Sequence, residues 1–226
     1  MPQVNILIDI NESTYLRNPL ETNLGKKILF HSIDLMYDTG FEDFNFRKLA
    51  IKMESTEASI YRYFENKYML LAYLVAWYWD YIHFLILMET RNIKKAKERL
   101  KISITTLVNS QHNKSTPEYI DQPKLHAIVV ENAAKVYHTK KVDDLNKVGF
   151  YLNYKKLVKT LAANILEIDS KYKYPRALAT SIIEQSLNYE YYIAHLPNLT
   201  DHDDRSKIDA RTETLEMIWY MVNRLL

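Results

Sequence analysis

The stretch Glu57–Lys67 reads EASIYRYFENK and crowds hydrogen-bonding side chains onto a short segment. On a wheel of about 100° per residue, Ile60 and Phe64 point one way, toward Leu49, Ala50 and Met53 of the segment before it. Ala58, Ser59 and Arg62 point away, with Tyr63 flanking. Alanine lets a backbone approach a groove closely. The hydroxyls of Thr56 and Ser59 can bond phosphate or base edges, while tyrosine tips and the Lys67 ammonium can anchor phosphates, which set register rather than sequence. That is the chemistry of a helix entering the major groove of DNA.

The elements that must hold this segment are helical. Thr22–Thr39 predicts a first helix, with Leu24, Ile28 and Leu35 on one stripe, Leu29, Ile33 and Met36 beside it, and Gly40 at its end. Asn45 can cap a short second helix whose apolar positions are Phe46, Leu49, Ala50 and Met53. Glu54-Ser55-Thr56 reads as a turn, so the second and third helices form a helix-turn-helix candidate. Later helices are expected over about 67–89, 92–111, 124–136, 142–169, 175–195 and 207–225, the 142–169 helix bending at Gly149. The fold class is all-α with about nine helices. Residues 1–21 alternate at Val4, Ile6, Ile8 and Ile10 and read as an extended or disordered arm.

Composition narrows the function classes. Only three glycines occur in 226 residues, so a clustered phosphate-cradling loop is excluded, and without cysteine there is neither a disulfide framework nor a thiolate metal site. His83, His126 and His138 lack metal-ligand spacing, and Asp201–Asp204 reads as a solvated loop rather than a cation site. No nucleophile–base–orienter arrangement is visible, so neither an enzyme nor a cofactor is expected. Tyr68–Met88 approaches membrane-spanning length, but Asp80 and His83 lie inside it and its aromatics cluster mid-run, which favours a helix buried in protein over a membrane span. A cytoplasmic location is expected.

The residues around the opening stretch resemble the DNA-binding domain of TetR-family bacterial regulators over about 24–70. The matching features, in order, are Gly40-Phe41, Leu49-Ala50, Ala58-Ser59, Ile60-Tyr61-Arg62-Tyr63-Phe64, Asn66-Lys67 and Leu70. The resemblance implies an N-terminal domain (22–67) with a helix-turn-helix and a larger helical domain (68–226) for ligand binding and dimerisation. It implies that Arg47 contacts phosphate, that Glu57, Ala58 and Ser59 face base edges, and that Tyr61, Tyr63 and Lys67 clamp the backbone. Thr56 and Arg62 complete the candidate DNA contacts. The family's usual turn glycine is replaced here by Glu54, and seven basic residues balance seven acidic ones between Leu24 and Leu70.

For the larger domain, the resemblance implies a small-molecule pocket among its first helices. Trp77, Tyr81, Phe84, Tyr151 and Tyr154 are candidate lining residues with Asp80 as a polar anchor, which suits a largely apolar or aromatic ligand. Pro175–His195 carries two adjacent apolar stripes, an arc wide enough to bury two faces, one of them against a partner. Ile183, Leu187, Tyr191, Trp219, Val222 and Leu226 are the candidate homodimer contacts. A two-fold dimer reading two half-sites of a palindromic duplex DNA operator would make the chain a ligand-responsive repressor. The alternative is a helical dimer of the same fold that no longer binds DNA and serves as a protein-interaction module.

Overall fold

A computed structural model describes residues 8–112, 116–202 and 209–226. Among them are ten α-helices and no strand: α1 (Asn23–Asp43), α2 (Phe46–Lys52), α3 (Glu57–Tyr61), α4 (Lys67–Thr90), α5 (Ala96–Val108), α6 (Gln122–Tyr137), α7 (Val142–Lys147), α8 (Leu152–Ile168), α9 (Pro175–His195) and α10 (Ala210–Leu225). Residues 1–7 of the arm, and Asp203 and Asp204 of the acidic loop, lie outside the described residues.

Local chemistry accounts for most boundaries. Thr22 accepts from the Gly25 N–H at the start of α1, Asn45 from Lys48 at α2, Thr56 from Ser59 at α3, and Asp121 from Lys124 at α6. Gly40 (φ 75°) interrupts α1 near its end. Gly149 (φ 80°) stands between α7 and α8, so the single helix expected over 142–169 is two. A positive φ is open to glycine at little cost and removes the residue from the helical basin, so the chain breaks there rather than bending.

The chain divides into two compact units, Met1–Tyr81 with Gln111–Tyr154, and Ile82–Ser110 with Lys155–Leu226. In the first, α1 packs on α2 and α6, and α2 on α3. Its core includes Ile28, Leu29, Ile33, Leu49, Ile60, Phe64 and Leu125, all without exposed surface. In the second, α5, α9 and α10 pack on one another around Leu100, Ile104, Ile183 and Ile218. Helix α4 is long and apolar enough to cross a membrane, but 78% of its most apolar eighteen-residue window is buried inside the protein.

The arm is not extended or disordered over 11–21. It carries two 3-10 turns, Glu12–Thr14 and Pro19–Glu21, each capped by the preceding asparagine. Long-range bonds hold it: Leu16 N–H donates to the Tyr63 carbonyl at 2.7 Å, and Asp9 N–H to Asp80 Oδ2 at 3.0 Å.

Candidate nucleic-acid interface and ligand cavity

The first turn of α3 stands out from its support. Thr56, Glu57 and Ala58 are exposed and Ser59 is half-exposed, while Ile60 and Phe64 are fully buried. Burial of each such side chain stabilises the docking of this short helix by roughly 1.5–3 kcal/mol. Hydroxyl groups knit the turn together. Ser59 Oγ donates to the Thr56 carbonyl at 2.6 Å and lies 2.9 Å from Ser55 Oγ. Tyr61 is 48% exposed, its ring edge-on to the buried Phe46 at 5.0 Å. Arg47 and Arg62 are exposed and make no ion pair among the described residues.

Several acids of this region are already occupied. Asp34 on α1 is bridged by Lys52 from the end of α2 and by Lys124 from α6. Hydrogen bonds from Lys124 and then Lys52 hold its carboxyl below the ordinary carboxylate range. Glu42 pairs with Lys135 of α6. At the turn itself, Glu54 and Glu57 are both exposed, and Glu54 takes a left-handed conformation, φ 52°.

Two candidate contacts are placed elsewhere. Tyr63 is 2% exposed, its hydroxyl 2.7 Å from Thr22 Oγ1, so its ring packs inside instead of clamping a phosphate. Lys67 Nζ donates to the carbonyls of Phe41, Glu42 and Phe44 at 3.0, 2.9 and 3.2 Å. All three ammonium protons are thereby committed to closing the end of α1. Arg17, by contrast, escaped the sequence analysis. It is exposed on the arm with its guanidinium 5.5 Å over the Tyr63 ring, and no spacing rule links it to α3.

The proposed ligand residues separate. Tyr151 and Tyr154 join Trp79, Tyr137 and Phe150, which the sequence analysis did not select, around a cavity of about 10 Å³. Trp77 and Tyr81 instead stack on each other at 5.1 Å and are fully buried. Neither the Trp77 Nε1 nor the Tyr81 hydroxyl has a hydrogen-bond partner among the described residues, and burial pushes the Tyr81 pKa up to about 12. Asp80 accepts from Asn153 Nδ2 at 2.7 Å and from the arm's Asp9 N–H, so it anchors the chain itself. Phe84 belongs to the second unit's part of α4 and is half-exposed.

Three of the dimer candidates are covered in the single chain, Val222 at the floor of the groove described below. Ile183, Leu187 and Val222 are buried within the chain. A helical wheel marks both stripes of α9 as apolar but cannot say that both are covered within the chain, where Leu178, Ile182 and Tyr189 of the other stripe are buried as well. Trp219 is half-buried with Lys97 and Lys101 about its ring at 6.0 and 5.7 Å, Leu226 is half-buried, and Tyr191 is exposed. What α9 and α10 leave open is an apolar groove of about 360 Å³ whose walls include Tyr174, Ala177, Ser181, Met221 and Leu225.

No protein-family model and no curated protein sequence matches this chain. Solved structures do resemble it. A TetR-family regulator from Syntrophomonas wolfei shares 20% identity over 88% of this chain and 93% of its own, with a TM-score of 0.63. AibR, in complex with isovaleryl coenzyme A and operator DNA, shares 17% identity over 88% of this chain and 95% of its own, TM-score 0.59. The fatty acid degradation regulator FadR from Bacillus halodurans shares 13% identity over 89% and 95%, TM-score 0.61.

Proposed function

We propose that this chain, which has the fold of TetR-family transcriptional regulators, is a dimeric, ligand-responsive DNA-binding repressor of the cytoplasm. The carrying observation is the α3 turn, whose Thr56–Ser59 edge faces outward from a buried aliphatic bed, while Arg47 and Arg62 are exposed and make no ion pair among the described residues. In this reading, residues 22–67 form the reading head and 68–226 the ligand-binding and dimerisation part. Ala58 and Ser59 approach base edges, Glu57 accepts from a cytosine amino group, and Arg47, Tyr61 and Arg62 meet phosphates. The open α9–α10 groove, with its apolar walls, is the surface for a second copy, and a two-fold pair would present two reading heads to half-sites about 34–36 Å apart. Binding of operator and acyl-coenzyme A by AibR supports the pairing of these two activities in one fold.

Fluorescence anisotropy of the chain on its own upstream DNA, at several salt concentrations, tests this. The expected result is a linear fall of log K with log salt, shallower by about 1 when Arg47 becomes alanine. Affinity no better than for random duplex would defeat it and favour the interaction-module alternative, to which the exposed Glu54 and Glu57 also point.

A further inference from the structure

Within the first unit, an open groove of about 820 Å³ lies where α1 ends and α4 begins. Its size is in the range of small-molecule sites, whereas the aromatic cavity behind it, at about 10 Å³, admits no more than a water-sized group. The two share Ala72, Val136 and Phe150. Those residues, with Met69 and Leu145, make the apolar part of the groove.

The polar lining is divided by charge. Lys135, His138, Lys140 and Lys141 come from the end of α6 and the link to α7, and Glu42, Glu65 and Asn66 from the reading-head side. Three lysines against two glutamates leave 3 − 2 = +1 before His138 is counted. Lys135 is bound to Glu42, but the adjacent Lys140 and Lys141 are exposed and make no ion pair among the described residues. Both line the groove, so its rim carries two cationic side chains beside an apolar surface, a local field that attracts an anion.

We infer that this groove binds an amphiphilic anion, its apolar body against Met69, Ala72, Val136 and Phe150 and its phosphate or carboxylate on Lys140 and Lys141. The inference rests on the ligand-responsive reading above and names the class of ligand. It also supplies a route to the DNA-binding residues. An anion reaching Lys135 competes with Glu42 and loosens the tie between the end of α1 and α6, while the ligand body touches Met69 in the first turn of α4. Only a ligand that favours one arrangement over the other can shift the equilibrium, and breaking one ion pair provides such a difference.

Isothermal titration of the full chain with isovaleryl-coenzyme A, decanoate and the neutral decanol tests this, alongside operator binding by the unliganded protein. Either anion, or both, binds about tenfold more tightly than decanol. Changing Lys140→Ala and Lys141→Ala together weakens the anion by about tenfold and leaves decanol unchanged. Binding of the coenzyme A ester alone assigns phosphate, and binding of decanoate alone assigns carboxylate. Circular dichroism melts of the double variant confirm folding, both lysines being exposed. Failure of both anions to bind, or unchanged anion affinity in the folded double variant, overturns the site. Operator binding without anion binding leaves the regulator reading standing, and anion binding without operator binding leaves only the ligand site.

Discussion

Asn153 Nδ2 lies 2.7 Å from Asp80 Oδ1 and also donates to the Asp9 carbonyl at 2.7 Å, so one side-chain amide joins α8, α4 and the arm. Asp80 is 8% exposed, and losing a donor leaves a buried carboxylate short of a partner. Asn153→Ala is expected to cost about 1–3 kcal/mol, seen as a lower urea midpoint at unchanged m-value. An unchanged midpoint would mean the arm is not held this way.

Lys67 and Arg47 are expected to part company in a salt titration. Lys67→Ala removes hydrogen bonds from a charged donor to three carbonyls and lowers stability by about 1.5–3 kcal/mol, with no change in the slope of operator affinity against salt. Arg47→Ala reduces that slope by about 1 and leaves the melting temperature unaltered. A flatter slope for the folded Lys67 variant would show that its ammonium leaves the α1 carbonyls for phosphate.

Glu54 stands at φ 52° without a described ion pair. A non-glycine residue in the left-handed region carries a cost of roughly 1–2 kcal/mol, partly offset by the greater chain entropy glycine loses on folding. Glu54→Gly should therefore stabilise by about 0.5–1 kcal/mol. It should also tighten operator binding by removing a negative charge from the turn proposed to face DNA. Thermal denaturation and anisotropy on one preparation check both.

His126 is buried, with Nδ1 2.7 Å from the Tyr78 hydroxyl, and desolvation, aided by the nearby His112, lowers its pKa from 6.5 to about 4. The folded value lies below the unfolded one, so the unfolded chain binds the extra proton first. The His126 contribution is then complete above about pH 6.5 and is lost as pH falls toward about 4. The loss is on the order of 3 kcal/mol. In His126→Gln this part of the stability–pH curve should disappear. A curve of the same shape in that variant would rule His126 out as its source.

On α9 and α10, position decides the phenotype. Ile183→Ala opens a cavity under a fully buried side chain and should cost about 2–5 kcal/mol without changing the subunit count. Leu225, 51% exposed on the open groove, should do the opposite: Leu225→Glu keeps the fold and yields monomers in sedimentation velocity. Dimers of the Leu225 variant would place the partner elsewhere.

The sequence by itself determined what depends on neighbours along the chain. Asn45 as a cap, the Gly40 break, and Ile60 and Phe64 as the buried side chains that dock α3 and the turn after it all follow from local hydrogen bonding and a 3.6-residue period. The tertiary structure alone decided that both apolar stripes on α9 are covered within the chain, that Tyr63 reaches Thr22, that Lys67 turns back onto α1, and that Asp80 meets Asn153 and the arm. A wheel fixes the angle at which a side chain leaves its helix. What stands opposite is set by elements tens of residues away, and that is what makes Tyr63 and Lys67 struts of the fold.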